Sequence, residues 1–208
     1  MLPENITAGF LAVCLASFFL VNLYNIVKFH RGRRSAKPPA AIESPRSLTM
    51  PLAALGTLLF FLESILFSLL ALTGFASFHQ IAPLQLRFQH DTYVQIIGIV
   101  LSGAGYFLFI WSVVARGRYA VSWGMPENQR LVTWGPNRYV RHPSYIGYFL
   151  MFSGLFLVWL NLVAILPLIA IPGYIQVTAT EEQLLLNRFG EEYKRYQRKT
   201  GKFFPKRK

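Results

Sequence analysis

The chain reads as an all-α membrane protein with five transmembrane helices, the last two a tight hairpin, followed by a cytoplasmic C-terminal helix. Three observations predict this. Hydrophobic residues make up 53% of the 208 positions, with a mean hydropathy of +0.37, high for a soluble domain. The apolar residues are gathered into five long runs that are almost free of charge. Of the 21 lysines and arginines, all but Arg87 fall in connections on one side of those runs.

The runs cover residues 6–27, 52–75, 94–114, 145–160 and 162–177. A helix that spans the bilayer needs about 20 apolar residues at 1.5 Å each. The first three satisfy this unaided, and Glu63 is their one charged residue. The last two are shorter, with only Asn161 between them. They read as a tight hairpin whose return arm is bent by Pro167 and Pro172; the alternative is one re-entrant element. Thr178 and Thr180, followed three residues later by Glu181 and Gln183, predict a capping box and a new helix over 178–199. Leu185, Phe189, Tyr193 and Tyr196 form one face of it. Glu191 and Arg195 suit an i,i+4 pair on another.

The cations orient the chain. Those after runs one, three and five face the cytoplasm, which puts the N-terminus outside and the C-terminus inside. This fits a prokaryotic inner membrane or an endoplasmic-reticulum-type membrane. The net charge of +12 is then the positive-inside signal plus attraction to anionic lipid headgroups, and no nucleic-acid partner is expected. Cys14 has no partner cysteine. The start MLPENITAGF lacks a basic n-region, and the run after it is long enough to read as an anchor, not a cleaved signal. SAKPPAAIESPRS, 35–47, reads as a linker, and the oligomeric state is open.

Three polar pieces converge on the cytoplasmic face. They are QRLVTWGPNRYVRHPSYIG (129–147), TATEEQLLLNRFGEEYKRYQRK (178–199) and GKFFP (201–205). With the membrane runs they make a single membrane domain, in which 129–147 and 178–205 form the functional region. Pro143 suits the first turn of a helix. Arg138 and Arg141 either snorkel to headgroups or hold a ligand. His142 either caps the helix or binds. Glu181 and Glu182 either favour a helix N-terminus or hold hydroxyls, an amine or a cation. Gly147 leaves a gap where a flat ligand can approach the backbone, with Tyr145 and Tyr148 beside it. Gly103 and Gly105 read as helix packing.

The two motif blocks resemble a known family. Leu131-Val132-Thr133 with Gly135, then Arg141-His142-Pro143 with Tyr145 and Gly147, form the first. Glu181-Glu182, Leu185, Phe189-Gly190, Tyr193 and Tyr196 form the second. This order and spacing resembles the integral-membrane methyltransferases, which include isoprenylcysteine carboxyl methyltransferases and phospholipid N-methyltransferases. The likeness covers about 129–205, and the five-span layout more loosely. Gln129 stands where carboxyl methyltransferases often carry histidine, and Asn137 where an aromatic is common.

The resemblance implies S-adenosyl-L-methionine as cofactor, with no metal. It implies a cofactor site of Gln129, Leu131, Val132, His142, Pro143, Tyr145, Gly147, Glu181 and Glu182. The acceptor would be lipid-like or prenylated and enter from the bilayer. An isoprenylcysteine-type carboxylate is favoured over a phospholipid amine, a small thiol or an isoprenoid acid. Arg141 and Arg188 are candidates to hold an acceptor carboxylate or phosphate. Glu181 or Glu182 would serve as base for an amine acceptor. Glu63 either lines the acceptor path or bonds another helix. Two rivals remain at this stage: an NADPH-dependent membrane reductase similar to the sterol reductases, and a non-enzymatic scaffold.

Overall fold

The structure, a computed structural model, describes residues 1–30, 40–41, 49–74, 84–120, 124–125 and 129–206. Most of the linker 35–47 lies outside them; Ala40–Ala41 pairs antiparallel with Gly124–Met125. The helices are α1 (Glu4–His30), α2 (Thr49–Leu72), α3 (Asp91–Arg116), α4 (Pro143–Trp159) and α5 (Ala170–Lys199). Among the described residues, four helical segments are long and apolar enough to cross a membrane: Glu4–Lys28, Thr49–Leu72, Asp91–Tyr119 and Leu162–Lys199.

α4 is shorter, 17 residues, or about 26 Å at 1.5 Å per residue. It is apolar all round because it runs through the centre. Met151, Phe152, Leu155 and Val158 are fully buried on it. The outer helices instead expose large apolar side chains such as Val13, Leu20, Leu58, Val100 and Phe107. This is the surface a lipid solvent selects.

Small residues set the helix spacing. Gly105 of α3 lies on Gly147 and Met151 of α4, Gly98 on Leu157 and Val158, and Gly154 on Ser102. A Cβ at Gly147 would stand 2.9 Å from the Gly105 carbonyl and 3.0 Å from Phe109 Cβ. Gly56 and Gly173 bring α2 equally close to α5, against Ala170 and Ala53.

The chain reverses after α4 at Leu160, which adopts the left-handed conformation (φ 51°, ψ 44°). The last carbonyls of α4 would be left without partners there. Gln95 Nε2 donates to the Val158 carbonyl (2.8 Å), Gln85 Nε2 to that of Trp159 (2.9 Å) and the Leu86 N–H to that of Leu160 (2.7 Å). Asn161 Oδ1 then accepts from the Val163 N–H (2.9 Å) and starts a 3₁₀ stretch, Leu162–Ile169.

The return arm departs from the sequence expectation. It is not a regular helix over 162–177 with a second beginning at Thr178. The 3₁₀ stretch holds Pro167, and α5 then runs unbroken past position 178. Thr178 Oγ1 donates to the Ile175 carbonyl (2.7 Å) and caps nothing. Near position 190 the helix bends at Gly190, whose φ of 49° is non-helical. Glu191 pairs with Lys194 (2.7 Å), not Arg195.

Candidate functional site

α5 starts beside α2, with Gly173 against Ala53 and Gln176 bonded to Thr49. Thr49 is the first residue of α2, so everything after position 177 projects past the end of the neighbouring helix. The residues 129–142 and 200–203 fold onto this projection. Trp134 Nε1 donates to the Ala115 carbonyl at the end of α3 (2.8 Å). Gly135 has φ +59°, and a Cβ there would press on Ala115, so glycine is required for both reasons. Tyr196 of α5 donates to the Asn137 carbonyl (2.6 Å).

Backbone pairing then fixes the motif. The N–H of Arg141 donates to Gly201 (2.9 Å) and that of His142 to Lys202 (3.2 Å), beside a parallel bridge between Val140 and Gly201. Arg141 Nε donates to Glu182 Oε1 (2.7 Å), and its Nη1 to the Thr200 carbonyl. His142 is 5% exposed, with its ring flanked by Tyr145 and Phe203. Its Nε2 lies 3.1 Å from Glu182 Oε1, and its Nδ1 3.6 Å from Glu181 Oε2. The first is a hydrogen bond and the second is too long to be one. Tyr145 donates to Glu181 Oε1 (2.7 Å).

The two glutamates therefore differ in kind. Burial pushes the Glu182 carboxyl up, but hydrogen bonds from His142 and Arg141 and the guanidinium charge outweigh it and hold it at about 2. Glu182 is a fixed anion behind the site. Glu181 faces the cavity, steadied by Tyr145.

The cavity holds about 470 Å³, within the usual range for small-molecule sites. Gln129, Leu131, Val132, Arg141, His142, Pro143, Tyr145 and Glu181 of the expected set line it. Glu182 acts from behind, through Arg141 and His142. Two more of the expected residues lie outside the lining. Gly147 does not open toward a ligand; it is packed against Gly105 and Phe109. Arg188 is exposed on α5 and is not among the lining residues.

Sequence reasoning missed several others. Asn137, Tyr193 and Ser112 line the cavity, and each has a buried oxygen without a partner among the described residues (Oδ1, OH and Oγ), as has Gln129 Oε1. Buried polar atoms are rarely left so, and here they face a space that a polar ligand would fill. Tyr193 stands in the second motif block and Asn137 within the first, but only their long-range convergence with Ser112 marks them as cavity residues. The cavity continues between the helices, where Ala54, Thr57, Phe109, Tyr148 and Tyr174 form an apolar and aromatic wall. Tyr148 and Tyr174 stack at 5.3 Å and 11°.

Residues 93–192 match the family model described as phospholipid methyltransferase. The chain is also 38% identical over 81 residues to the protein-S-isoprenylcysteine O-methyltransferase of Schizosaccharomyces pombe. That stretch is 38% of this chain and 34% of the relative, so the match spans about a third of the relative's length. It is residues 93–192 that bring together the motif loop, α4 and Glu181-Glu182.

Proposed function

We propose, from residues 93–192 as an integral-membrane methyltransferase sequence, that the chain is an S-adenosylmethionine-dependent methyltransferase acting on a lipid-like acceptor within the bilayer, a carboxylate of the isoprenylcysteine type. One observation carries the reading: a single cavity joins unpartnered polar oxygens at the motif loop to an apolar wall between the helices. A water-borne polar cofactor and a bilayer-borne acceptor need such a shared space.

The four long helices and α4 would make five crossings, with the N-terminus outside. The extension of α5 past α2 and the motif loop would then lie in the cytoplasm. Gln129 Oε1, Asn137 Oδ1 and Tyr193 OH fit the cofactor's hydroxyl and amino groups. The Glu181 carboxylate and the rings of Tyr145 and Tyr148 suit a positively charged group. Tyr145 holds Glu181 in place, while Glu182 accepts from both His142 and Arg141, and the Thr200 carbonyl also anchors Arg141.

Bound S-adenosylmethionine supplies a sulfonium methyl that moves in one displacement: an acceptor oxygen–carbon bond forms, the carbon–sulfur bond breaks, and sulfur keeps the electron pair. A carboxylate acceptor is already ionised at neutral pH, so no residue has to remove a proton. The protein's task is alignment and exclusion of water, and the stacked tyrosines serve it. Incubation of the detergent-purified chain with methyl-labelled cofactor and a membrane lipid extract tests this. Labelled lipid that releases methanol in base is expected. Label that survives base would mean an amine or thiol acceptor, and no transfer at all would refute the reading.

A further inference from the structure

We propose that Arg116 and Ser112, one turn apart at the end of α3, hold the anionic end of the acceptor and make this chain select a lipid carboxylate. The inference rests on the methyltransferase reading and assigns the acceptor half of the same cavity.

Three arginines line the cavity: Arg116, Arg130 and Arg141. Arg141 is committed to Glu182 and Thr200. Arg130 is exposed. Arg116 is only partly exposed, and its one hydrogen bond among the described residues is a long one, from Nε to the Ser112 carbonyl (3.4 Å). The Nη edge of its guanidinium is left for a ligand, and a fork of that kind matches a carboxylate.

Ser112 Oγ is the second donor. Ser17, Thr57 and Thr73 hydrogen-bond to carbonyls one turn back in their helices, the usual resort of a hydroxyl in an apolar helix. Ser112, Ser64, Ser68 and Ser102 are buried and make no such bond among the described residues, but of these four only Ser112 lines the cavity.

The position is at a boundary. Arg116 lines the same cavity as Tyr145, Glu181 and Tyr148, on the polar side. Val113, Phe109 and Ala54 begin the apolar wall beyond it. An acceptor with one negative end and a long apolar body fits this order of groups. An ammonium headgroup would instead meet a like charge.

The test uses the full detergent-purified chain, saturated with S-adenosylhomocysteine so that nothing turns over. The probes are N-acetyl-S-farnesylcysteine, its uncharged carboxamide, and phosphatidylethanolamine. Wild type should bind the acid at least about tenfold more tightly than the amide, the usual scale for a hydrogen bond to a charged group. Arg116→Gln should erase that preference, Arg116→Lys should keep part of it, and Ser112→Ala should reduce it. Cofactor affinity, measured separately, should stay unchanged in all three.

Equal binding of acid and amide by wild type would overturn the assignment. So would tighter binding of phosphatidylethanolamine than of the acid; neither result needs a folded variant. Loss of cofactor affinity in Arg116→Gln would place Arg116 in the cofactor half and also overturn it. The two proposals fail separately. If wild type binds no S-adenosylmethionine yet shows an acid preference that depends on Arg116, the methyltransferase reading falls and the lipid-anion site stands.

Discussion

His142 stands between two carboxylates that differ in what else they touch. Glu182 is held by both Arg141 and His142, whereas Glu181 has Tyr145 and the cavity. This makes Glu182 a test of the whole corner. Its folded-state value of about 2 lies below that of a free glutamate near ~4.3. On acidification the unfolded chain takes up the proton first. The contribution to stability is therefore complete above about pH 4.3 and is lost as pH falls through about 2. Its upper limit is about 3 kcal/mol before solvent screening. Melting curves of Glu182→Gln from pH 2 to 7 should lack that part of the acid slope. The same variant should bind S-adenosylmethionine about tenfold or more weakly, while Arg118→Ala, at an exposed site, should bind normally. Wild-type affinity in Glu182→Gln would show that Arg141 and His142 need no anion behind them. The motif residues themselves were legible because they cluster within a few positions. The division of labour between the glutamates was not, because His142 meets them from 40 residues away.

At the scale of elements, the α3–α4 contact has the narrowest tolerance. Gly147→Ala places a methyl against the Gly105 carbonyl and the Phe109 backbone. Neither is a flexible side-chain end. We expect a loss of about 1–3 kcal/mol from overpacking, exceeding the gain in helix propensity of up to about 1 kcal/mol. Cofactor affinity per folded molecule should hold. Thermal melting and calorimetry on one variant check both, and a melting temperature that rises while affinity falls would restore a ligand-facing role for Gly147. The apolar runs located the first three helices closely, since α1 and α3 contain all of 6–27 and 94–114 and α2, ending at Leu72, contains most of 52–75. Run length records what a bilayer demands, and that demand is local. The return arm was misread for the opposite reason. A threonine with glutamate three residues later looks like a helix start, and only the backbone before it shows that α5 has already begun at Ala170. The bend at Gly190 was equally hidden, because a glycine can continue a helix or break it. In the sequence Arg116 falls just after the third run and reads as a loop cation. Its spacing of four from Ser112 on an apolar helix was the one available hint.

For the whole molecule, charge and shape divide along one axis. The motif loop and the extension of α5 gather cations at one end, while large apolar side chains cover the flanks. In a Cys14→Ala background, an impermeant maleimide should label Gln89→Cys in intact cells and spare Lys199→Cys until the membrane is broken. The reverse pattern would invert the topology. The bridge between Val140 and Gly201 adds an order in time. Arg141 and His142 obtain their backbone partners from residues 60 positions later in the chain. While the ribosome is still threading α4 and α5 into the lipid, those partners do not yet exist. The loop that carries Arg141 and His142 can therefore take its final form only after residues 201 and 202 have been made.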